Sequence, residues 1–264
     1  MKNLKQYITI AACALVFMSC DKEDVKPAAE EAELNTKNTT VNVTGDGGSL
    51  TQFAMVEDYL YTVDYKSIKV FDVSNSVNPI HVQTLNLGYG IETIHAQEDY
   101  IFIGTSSGVK ILDATDPENL EEISEFEHIT ACDPVVANSN FAISTIRGGT
   151  PCGGSINELD IIDINDIMNP TLLKSEALVN PYGLGFSSDD ENIIFVCDGH
   201  DGLKAFDISD VENTELTMHY HDVIARDVIS AEDNLLIVLG LNGIYQFDAS
   251  NMNELVQKSF IPRQ

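Results

Sequence analysis

One stretch of the chain joins reactive side chains to a glycine-rich backbone. RGGTPCGGSINE, residues 147–158, contains Arg147, Cys152 and four glycines. An arginine can hold an anionic group, and a cysteine can act as a nucleophile when a base stands beside it. The sequence marks no base near Cys152. A ligand-binding loop and a structural loop are both open at this point, and a nucleophilic Cys152 is the alternative to a structural one.

A second group of candidate side chains consists of histidines. HYH at residues 219–221 places His219 and His221 on one side of a strand, a pairing that zinc can use. His200 lies in DGHDG, residues 198–202, which lacks the ligand spacing of a calcium loop and is typical of a tight turn. The sequence offers no third zinc ligand at a fitting spacing. We therefore predict no metal site and no cofactor.

Motifs that indicate catalysis are missing from the sequence. The chain contains no G-x-S-x-G elbow, no H-E-x-x-H pair and no phosphate-binding loop. A glycosidase would need two carboxylates across a cleft, and 42 acidic residues give no basis for choosing a pair. Because only 14 residues are basic, the formal net charge is −28, and such a surface repels a phosphate backbone. We predict neither an enzyme nor a nucleic-acid-binding protein.

The N-terminal part of the chain is predicted to lie outside the fold. Residues 1–19 have a basic start and a short apolar run, which is typical of a signal peptide. The run ends in FMSC, which resembles the lipobox of bacterial lipoproteins and implies cleavage after Ser19 and a lipid on Cys20. An ordinary signal peptide is the alternative. Residues 20–48 are acidic and poor in large apolar groups, so we predict that the lipidated cysteine is followed by a disordered tether.

Residues 49–264 are dominated by an internal repeat. Five segments align on a shared aspartate: SIKVFDVS, GVKILDAT, ELDIIDIN, GLKAFDIS and GIYQFDAS. The aspartates, which are 41, 50, 44 and 41 residues apart, are Asp72, Asp113, Asp163, Asp207 and Asp248. Each segment is rich in β-branched and aromatic residues, and further apolar strands precede and follow it. This pattern predicts an all-β fold, a five-bladed β-propeller of four-stranded antiparallel blades, with residues 147–158 as an insertion in the third blade.

These repeats resemble the LVIVD-repeat proteins, a family of bacterial and archaeal cell-surface proteins. GVKILDATDPENL and GLKAFDISDVEN carry the resemblance, which covers about residues 50–260. CDPVV and CGGSINELDIIDI are similar to one lipoprotein branch of that family. The resemblance implies β-propeller blades and a cell-surface setting, and it implies no settled activity.

Propeller geometry predicts that several candidate side chains share one face. The loops between the second and third strands of each blade lie beside the connections between blades, around the central channel. We call this side of the propeller the rim face. The candidate ligand-binding residues on it are Arg147, Tyr182, His200 and Arg226.

Carboxylates recur at two places in the repeat. Glu92, Asp133 and Asp227 align at one position early in the innermost strand, where they could hold a cation or bond to the backbone, and we favour the backbone. The five repeated aspartates are present in every blade. We predict that they accept hydrogen bonds from nearby backbone N–H groups and shape the turn into the fourth strand.

Three cysteines remain after the predicted cleavage and lipidation. Cys132 begins the innermost strand of blade three, and Cys152 lies in the enlarged loop of that blade, on the same face. Disulfides persist in exported proteins, so we predict a Cys132–Cys152 bond, worth roughly 3 kcal/mol in the chain-entropy model. Cys197, in the apolar strand IIFVCD, is predicted to be a buried free thiol.

The sequence thus predicts a lipid-anchored propeller of the cell envelope that acts as a non-catalytic binding or scaffold module for a surface protein or glycan. A polysaccharide hydrolase or lyase with its site at the channel mouth is the alternative, and a structural protein without a ligand is a second one. DKED, after Cys20, is similar to a signal that sends some lipoproteins to the outer face of the outer membrane. A periplasm-facing position is the alternative.

Overall fold

The computed structural model describes residues 48–127, 134–149, 154–252 and 254–263. Within them the chain forms five sheets of four strands, and each strand pairs antiparallel with its neighbour in sequence. Helix is limited to two short 3-10 turns, at Pro117–Asn119 and Val211–Asn213. The predicted five-bladed β-propeller of four-stranded antiparallel blades is confirmed.

The strands follow the chain from the innermost to the outermost position of each blade. Blade one contains β1 (Phe53–Val56), β2 (Tyr59–Val63), β3 (Ser67–Asp72) and β4 (Ile80–Asn86). Blade two contains β5 (Ile91–Gln97), β6 (Tyr100–Thr105), β7 (Gly108–Asp113) and β8 (Glu121–Glu127). Blade three contains β9 (Val135–Ala137), β10 (Phe141–Arg147), β11 (Asn157–Asp163) and β12 (Thr171–Ala177). Blade four contains β13 (Leu184–Phe186), β14 (Ile193–Cys197), β15 (Leu203–Asp207) and β16 (Glu215–Tyr220). Blade five contains β17 (Ala225–Ala231), β18 (Leu235–Gly240), β19 (Gly243–Asp248) and β20 (Val256–Pro262).

The apolar core lies between neighbouring blades. Second strands such as β6 and β14 are buried along almost their whole length, because both faces of the sheet are covered by other blades. Four buried clusters among the described residues each join one consecutive pair of blades, from the first pair to the last. In contrast, all seven residues of β20 are exposed at the outer edge. Burial therefore explains why strands such as β6 and β14 are almost wholly apolar.

A channel runs through the centre of the ring. The five innermost strands line a cavity of about 370 Å³, and each contributes to its wall. One residue from each of these strands illustrates this: Met55, His95, Ala137, Phe186 and Ile229. The seam between blades five and one is bridged by Ser49, whose hydroxyl donates to Asp227 at 3.3 Å and accepts from the Leu184 N–H at 2.8 Å.

The repeated aspartates close the turn after the third strand of every blade. Each carboxylate accepts a hydrogen bond from the backbone N–H two residues later, at 2.9 to 3.0 Å. The donors are the N–H groups of Ser74, Thr115, Asn165, Ser209 and Ser250. This local hydrogen bond stabilises the turn after the third strand. The prediction that the five carboxylates accept bonds from nearby backbone N–H groups is confirmed.

The enlarged loop falls where the repeat spacing predicts it, between β10 and β11 of blade three. It runs from residue 148 to 156, whereas the equivalent loop of blade two contains only Ser106 and Ser107. Where the loop is described, the N–H of Gly149 donates to the carbonyl of Gly154 at 3.2 Å. Both glycines have a positive φ, +72° and +75°, so the loop needs them to turn.

Candidate functional site

Three of the residues predicted for the rim, Arg147, Tyr182 and Arg226, come together at one point. The guanidinium carbon of Arg147 lies 4.1 Å from the ring centroid of Tyr182, and that of Arg226 lies 3.9 Å from the same centroid. Both distances are within the range of a cation–π interaction. The ring of Tyr182 thus contacts two arginines, one from blade three and one from blade five. We call these three residues the arginine cluster.

Backbone contacts between blades fix the cluster in place. Tyr182 lies in the connection before β13, where its N–H donates to the Cys197 carbonyl at 2.8 Å and its own carbonyl accepts from the Thr145 hydroxyl at 2.5 Å. Arg226 occupies a β-bulge, because the pairing of β17 with β18 shifts between Ala225 and Asp227. A bulge re-aims the side chain that it contains. Three blades therefore have to assemble before the cluster exists.

The two guanidinium groups of the cluster have no acidic partner among the described residues. Among the residues that the structure describes, neither Arg147 nor Arg226 has a hydrogen bond or ion pair through its side chain. Each guanidinium carries five N–H donors in a planar fork that fits a carboxylate or phosphate. The chain has only three arginines against 42 acidic residues. Two of the three are thus placed together with their donors available to a ligand.

A cavity adjoins the cluster at Arg226. It has a volume of about 590 Å³, and its wall combines Arg226 and Arg263 with apolar side chains of blade five. The apolar part of the wall is formed by Leu239, Leu241, Ile244, Ile261 and Pro262. A few polar groups beside apolar walls are typical of ligand sites of this size. Arg226 therefore belongs both to the arginine cluster and to the wall of this cavity.

Asp227 is held inside the fold. Its carboxylate accepts from the Ser49 hydroxyl at 3.3 Å and from the Val228 N–H at 3.1 Å, and a side chain at Gly48 or Gly183 would collide with it. Burial raises the pKa of Asp227 to about 6, although these hydrogen bonds act in the opposite direction. The contact with the Val228 N–H agrees with the predicted bonding of Asp227 to the backbone, and the bond to the Ser49 hydroxyl was not predicted.

The structure corrects the alignment of the rim carboxylates. Ile91 and Thr93 of β5 pair with Thr105 and Gly104, which leaves Glu92 at a bulge. In β17 the bulged residue is Arg226, so Glu92 corresponds to Arg226 and Asp227 to Thr93. The expectation that Glu92 and Asp227 share one repeated position is therefore wrong. The turn after the innermost strand has three residues in blade five, 232–234, and two in blade two, 98–99, so an alignment on the repeated aspartates is one residue out of step in the innermost strand.

The DGHDG turn is built around a buried ion pair. Asp198 is fully buried and accepts from the N–H groups of Val179 and Asn180 and from the Lys204 ammonium, which lies 2.6 Å away. Lys204 also contacts Asp201 at 2.7 Å. Gly199 and Gly202 have φ values of +56° and +98°, as a tight turn with glycine at both ends requires.

The histidines separate into a pair and a lone residue. His219 and His221 have ring centroids 3.7 Å apart, so the predicted placement on one side of the strand end is confirmed. Asp201 brings a third possible ligand to this pair, which the sequence spacing did not identify. His200 is exposed in the same turn and lies outside that group of three.

The cysteine predictions have different outcomes. Cys197 is a buried free cysteine, as predicted, and burial raises the pKa of its thiol well above the usual value. Cys20, Cys132 and Cys152 lie outside the described residues, and so does Asp133. The signal peptide, the lipid and the disulfide therefore stay predictions. Within the described part of the chain, no helix is long and apolar enough to cross a membrane.

Comparisons with known proteins identify the repeat and the fold. The LVIVD repeat matches residues 47–86, which include blade one. No curated protein sequence matches the chain. A functionally unknown protein from Desulfotomaculum acetoxidans has a similar structure, with a TM-score of 0.61, 12% identity, and coverage of 80% of this chain and 69% of that one.

Two further solved structures are similar at the level of the fold. A protein from Lactobacillus plantarum has a TM-score of 0.58 and 14% identity over 79% of this chain and 69% of its own. A hypothetical selenium-binding protein from Sulfolobus tokodaii has the same TM-score and identity over 78% of this chain. This chain spans 59% of that protein's length. Identities this low establish the shared fold alone.

Proposed function

From the premise that this chain is an LVIVD-repeat protein folded as a five-bladed propeller, we propose that it is a non-catalytic binding module of the cell envelope. Its arginine cluster holds a carboxylate of a partner protein, and the adjoining cavity takes an apolar side chain of the same segment. One observation carries the proposal: Arg147 and Arg226 are gathered on Tyr182 and, among the described residues, have no acidic partner.

The negative net charge of the chain indicates that an acidic partner would be bound by specific contacts and not by long-range attraction. A chain with a formal net charge of −28 repels anions at long range, so an acidic partner has to be recognised by close contacts. Bidentate bonds from a guanidinium to a carboxylate are such contacts, and they are stronger than neutral hydrogen bonds. The apolar wall beside Arg226 favours a protein segment over a sugar, because Leu239, Ile244 and Ile261 offer no hydrogen-bonding side chain.

The envelope location is part of the proposal. It rests on the signal-like residues 1–19 and on the FMSC that resembles a lipobox at Cys20. A lipid on Cys20 would attach the propeller to the outer membrane, with the surface-exposed side favoured. Replacement of Cys20 by Ser is expected to move the protein from the membrane fraction to the soluble fraction. A membrane fraction unchanged by this substitution would argue against the anchor.

Defined probes test the binding function. The probes are a peptide of alternating glutamate and leucine, its counterpart with glutamine, and polygalacturonate as an acidic glycan. We expect the full-length protein to bind the glutamate peptide, and the double substitution Arg147→Ala with Arg226→Ala to weaken binding at least tenfold. Lys258→Ala removes an exposed cation from β20 and is the matched control, with no change expected.

Each outcome of this panel has a distinct meaning. Binding of polygalacturonate alone, with the same loss in the double variant, would replace the protein partner with an acidic glycan. Equal binding of the glutamate and glutamine peptides would exclude recognition of the carboxylate. Unchanged affinity in the double variant would remove the arginine cluster from the function.

The alternative function is a polysaccharide hydrolase or lyase, and one observation favours it. Asp227 follows Arg226 directly, and its pKa of about 6 would suit proton transfer near neutral pH. However, its carboxylate is bonded to Ser49 and packed against Gly48 and Gly183, so it is already used inside the fold. Turnover of polygalacturonate that is lost in Asp227→Asn would establish the enzyme.

A further inference from the structure

Three potential metal ligands meet at the rim side of blade four, apart from the arginine cluster. The ligand atoms of Asp201, His219 and His221 all lie within 4.8 Å of one another. His219 and Asp201 are half-buried, and His221 is exposed, so the group is open to solvent on one side. Two imidazoles and one carboxylate are a ligand set that zinc-type metals use in proteins.

A strand end and a neighbouring turn bring these three residues together. His219 and His221 are two residues apart at the end of β16, so their side chains project from the same side. The intervening Tyr220 points to the core, where its ring contacts Phe247 at a centroid distance of 5.1 Å. Asp201 arrives from the turn before β15, which pairs with β16. The group is therefore set by the blade itself.

Hydrogen bonds and an ion pair hold His219 and Asp201 in place. His219 Nε2 lies 2.6 Å from the carbonyl oxygen of Asp201, and because that oxygen only accepts, Nε2 carries the proton and donates. The lone pair of His219 is then on Nδ1. Metal-binding histidines commonly have their second nitrogen fixed to a carbonyl in this way. Lys204 similarly contacts Oδ2 of Asp201 at 2.7 Å, and His219 Nε2 lies 3.6 Å from the same oxygen.

The local charges favour a divalent cation. Lys204 is the cation in contact with this group, and it is shared between Asp198 and Asp201. Asp222 directly follows His221 in the chain and adds another negative charge.

We propose that Asp201, His219 and His221 bind a divalent transition metal of the zinc type. Three protein ligands leave a coordination position for water or for a group from a partner. The site lies outside the arginine cluster and does not depend on the binding function proposed above.

Titration of the full-length protein, carrying no histidine tag, with Zn²⁺ tests the site. Isothermal titration calorimetry should give one site per chain, and Co²⁺ should give a visible absorption band on binding. We expect His221→Ala to weaken Zn²⁺ binding at least tenfold and to remove the Co²⁺ band. His200→Ala, in the neighbouring turn, is the matched control and should leave both unchanged.

His221→Ala is the decisive variant because His221 is exposed and its removal should not disturb folding. The thermal midpoint without metal should equal that of the unsubstituted protein and verify this. No binding by the unsubstituted protein would overturn the proposal. Zn²⁺ binding that survives His221→Ala would overturn it too, because the metal would then be held elsewhere, for example by cysteines.

Discussion

The guanidinium carbon of Arg226 lies 3.9 Å from the ring centroid of Tyr182, although the two residues belong to different blades. The same ring holds Arg147 at 4.1 Å. Tyr182 is therefore the residue on which the arrangement of the cluster depends. The ring of Tyr182 contacts both guanidinium groups, whereas its backbone N–H and carbonyl bond to Cys197 and Thr145. A substitution of the side chain can therefore remove the ring contacts and keep the backbone hydrogen bonds.

Substitution of Tyr182 should separate the role of the ring from that of the hydroxyl. Tyr182→Phe keeps the aromatic face and should bind the glutamate peptide within about twofold of the unsubstituted protein. Tyr182→Ala removes the face and should weaken binding about tenfold. Fluorescence anisotropy of the labelled peptide measures both variants. Equal affinity for the two would show that the ring does not organise the arginines.

The sequence predicted the blades well because the repeat is local. Five aspartates at similar spacings mark the end of the third strand. Each carboxylate accepts a hydrogen bond from the backbone N–H two residues later in the chain. The enlarged loop of blade three was predicted for the same reason. Patterns that arise within one blade can be read from consecutive residues.

Contacts between blades could not be predicted in the same way. The rim face was predicted to carry Arg147, Tyr182 and Arg226, but their meeting on one ring depends on how three blades pack. The third ligand of the histidine group was missed because Asp201 reaches it through a turn whose glycines adopt a positive φ. One extra residue in the turn between β17 and β18 likewise shifted the alignment of the carboxylates.

Lys204 should be essential to the stability of blade four. It neutralises Asp198, which is fully buried and has no other cation in contact within the described structure. Lys204→Ala would leave a buried carboxylate uncompensated, which costs about 3–5 kcal/mol. Lys258→Ala breaks an exposed pair with Asp248 and should cost far less, because water screens the two charges. Urea denaturation measures both, and equal losses would contradict the account of the buried pair.

Asp227 should make stability fall as the pH rises from about 4 to about 6. Burial raises its pKa from 3.8 to about 6 in the folded protein, so the folded state keeps a proton that the unfolded state has lost in this range. Asp227→Asn cannot ionise and should gain about 3 kcal/mol over the unsubstituted protein at pH 7.5, and much less at pH 4.

The comparison with Asp227→Asn isolates one group, because all other titrating groups are common to both proteins. The free energy of unfolding at the two pH values is the quantity to measure. A difference between the proteins that stays constant with pH would contradict the raised pKa of Asp227.

The predicted Cys132–Cys152 disulfide would close the base of the blade-three loop. Peptide mapping without reduction should find these two cysteines linked, and Cys197 should resist alkylation in the folded protein because it is buried. Cys152→Ser should lower the free energy of unfolding by roughly 3 kcal/mol. Free thiols at both positions would remove the disulfide from the account.

The central claim is that Arg147 and Arg226 recognise a carboxylate together through their planar forks. The most direct measurement is the affinity of the glutamate peptide for Arg147→Lys, Arg226→Lys and the double lysine variant, by isothermal titration calorimetry. Lysine keeps the charge but loses the bidentate geometry. We predict a weakening of at least fivefold for each single variant and a combined loss smaller than the product of the two, because both arginines hold one group. Affinity equal to that of the unsubstituted protein in the double variant would contradict the claim.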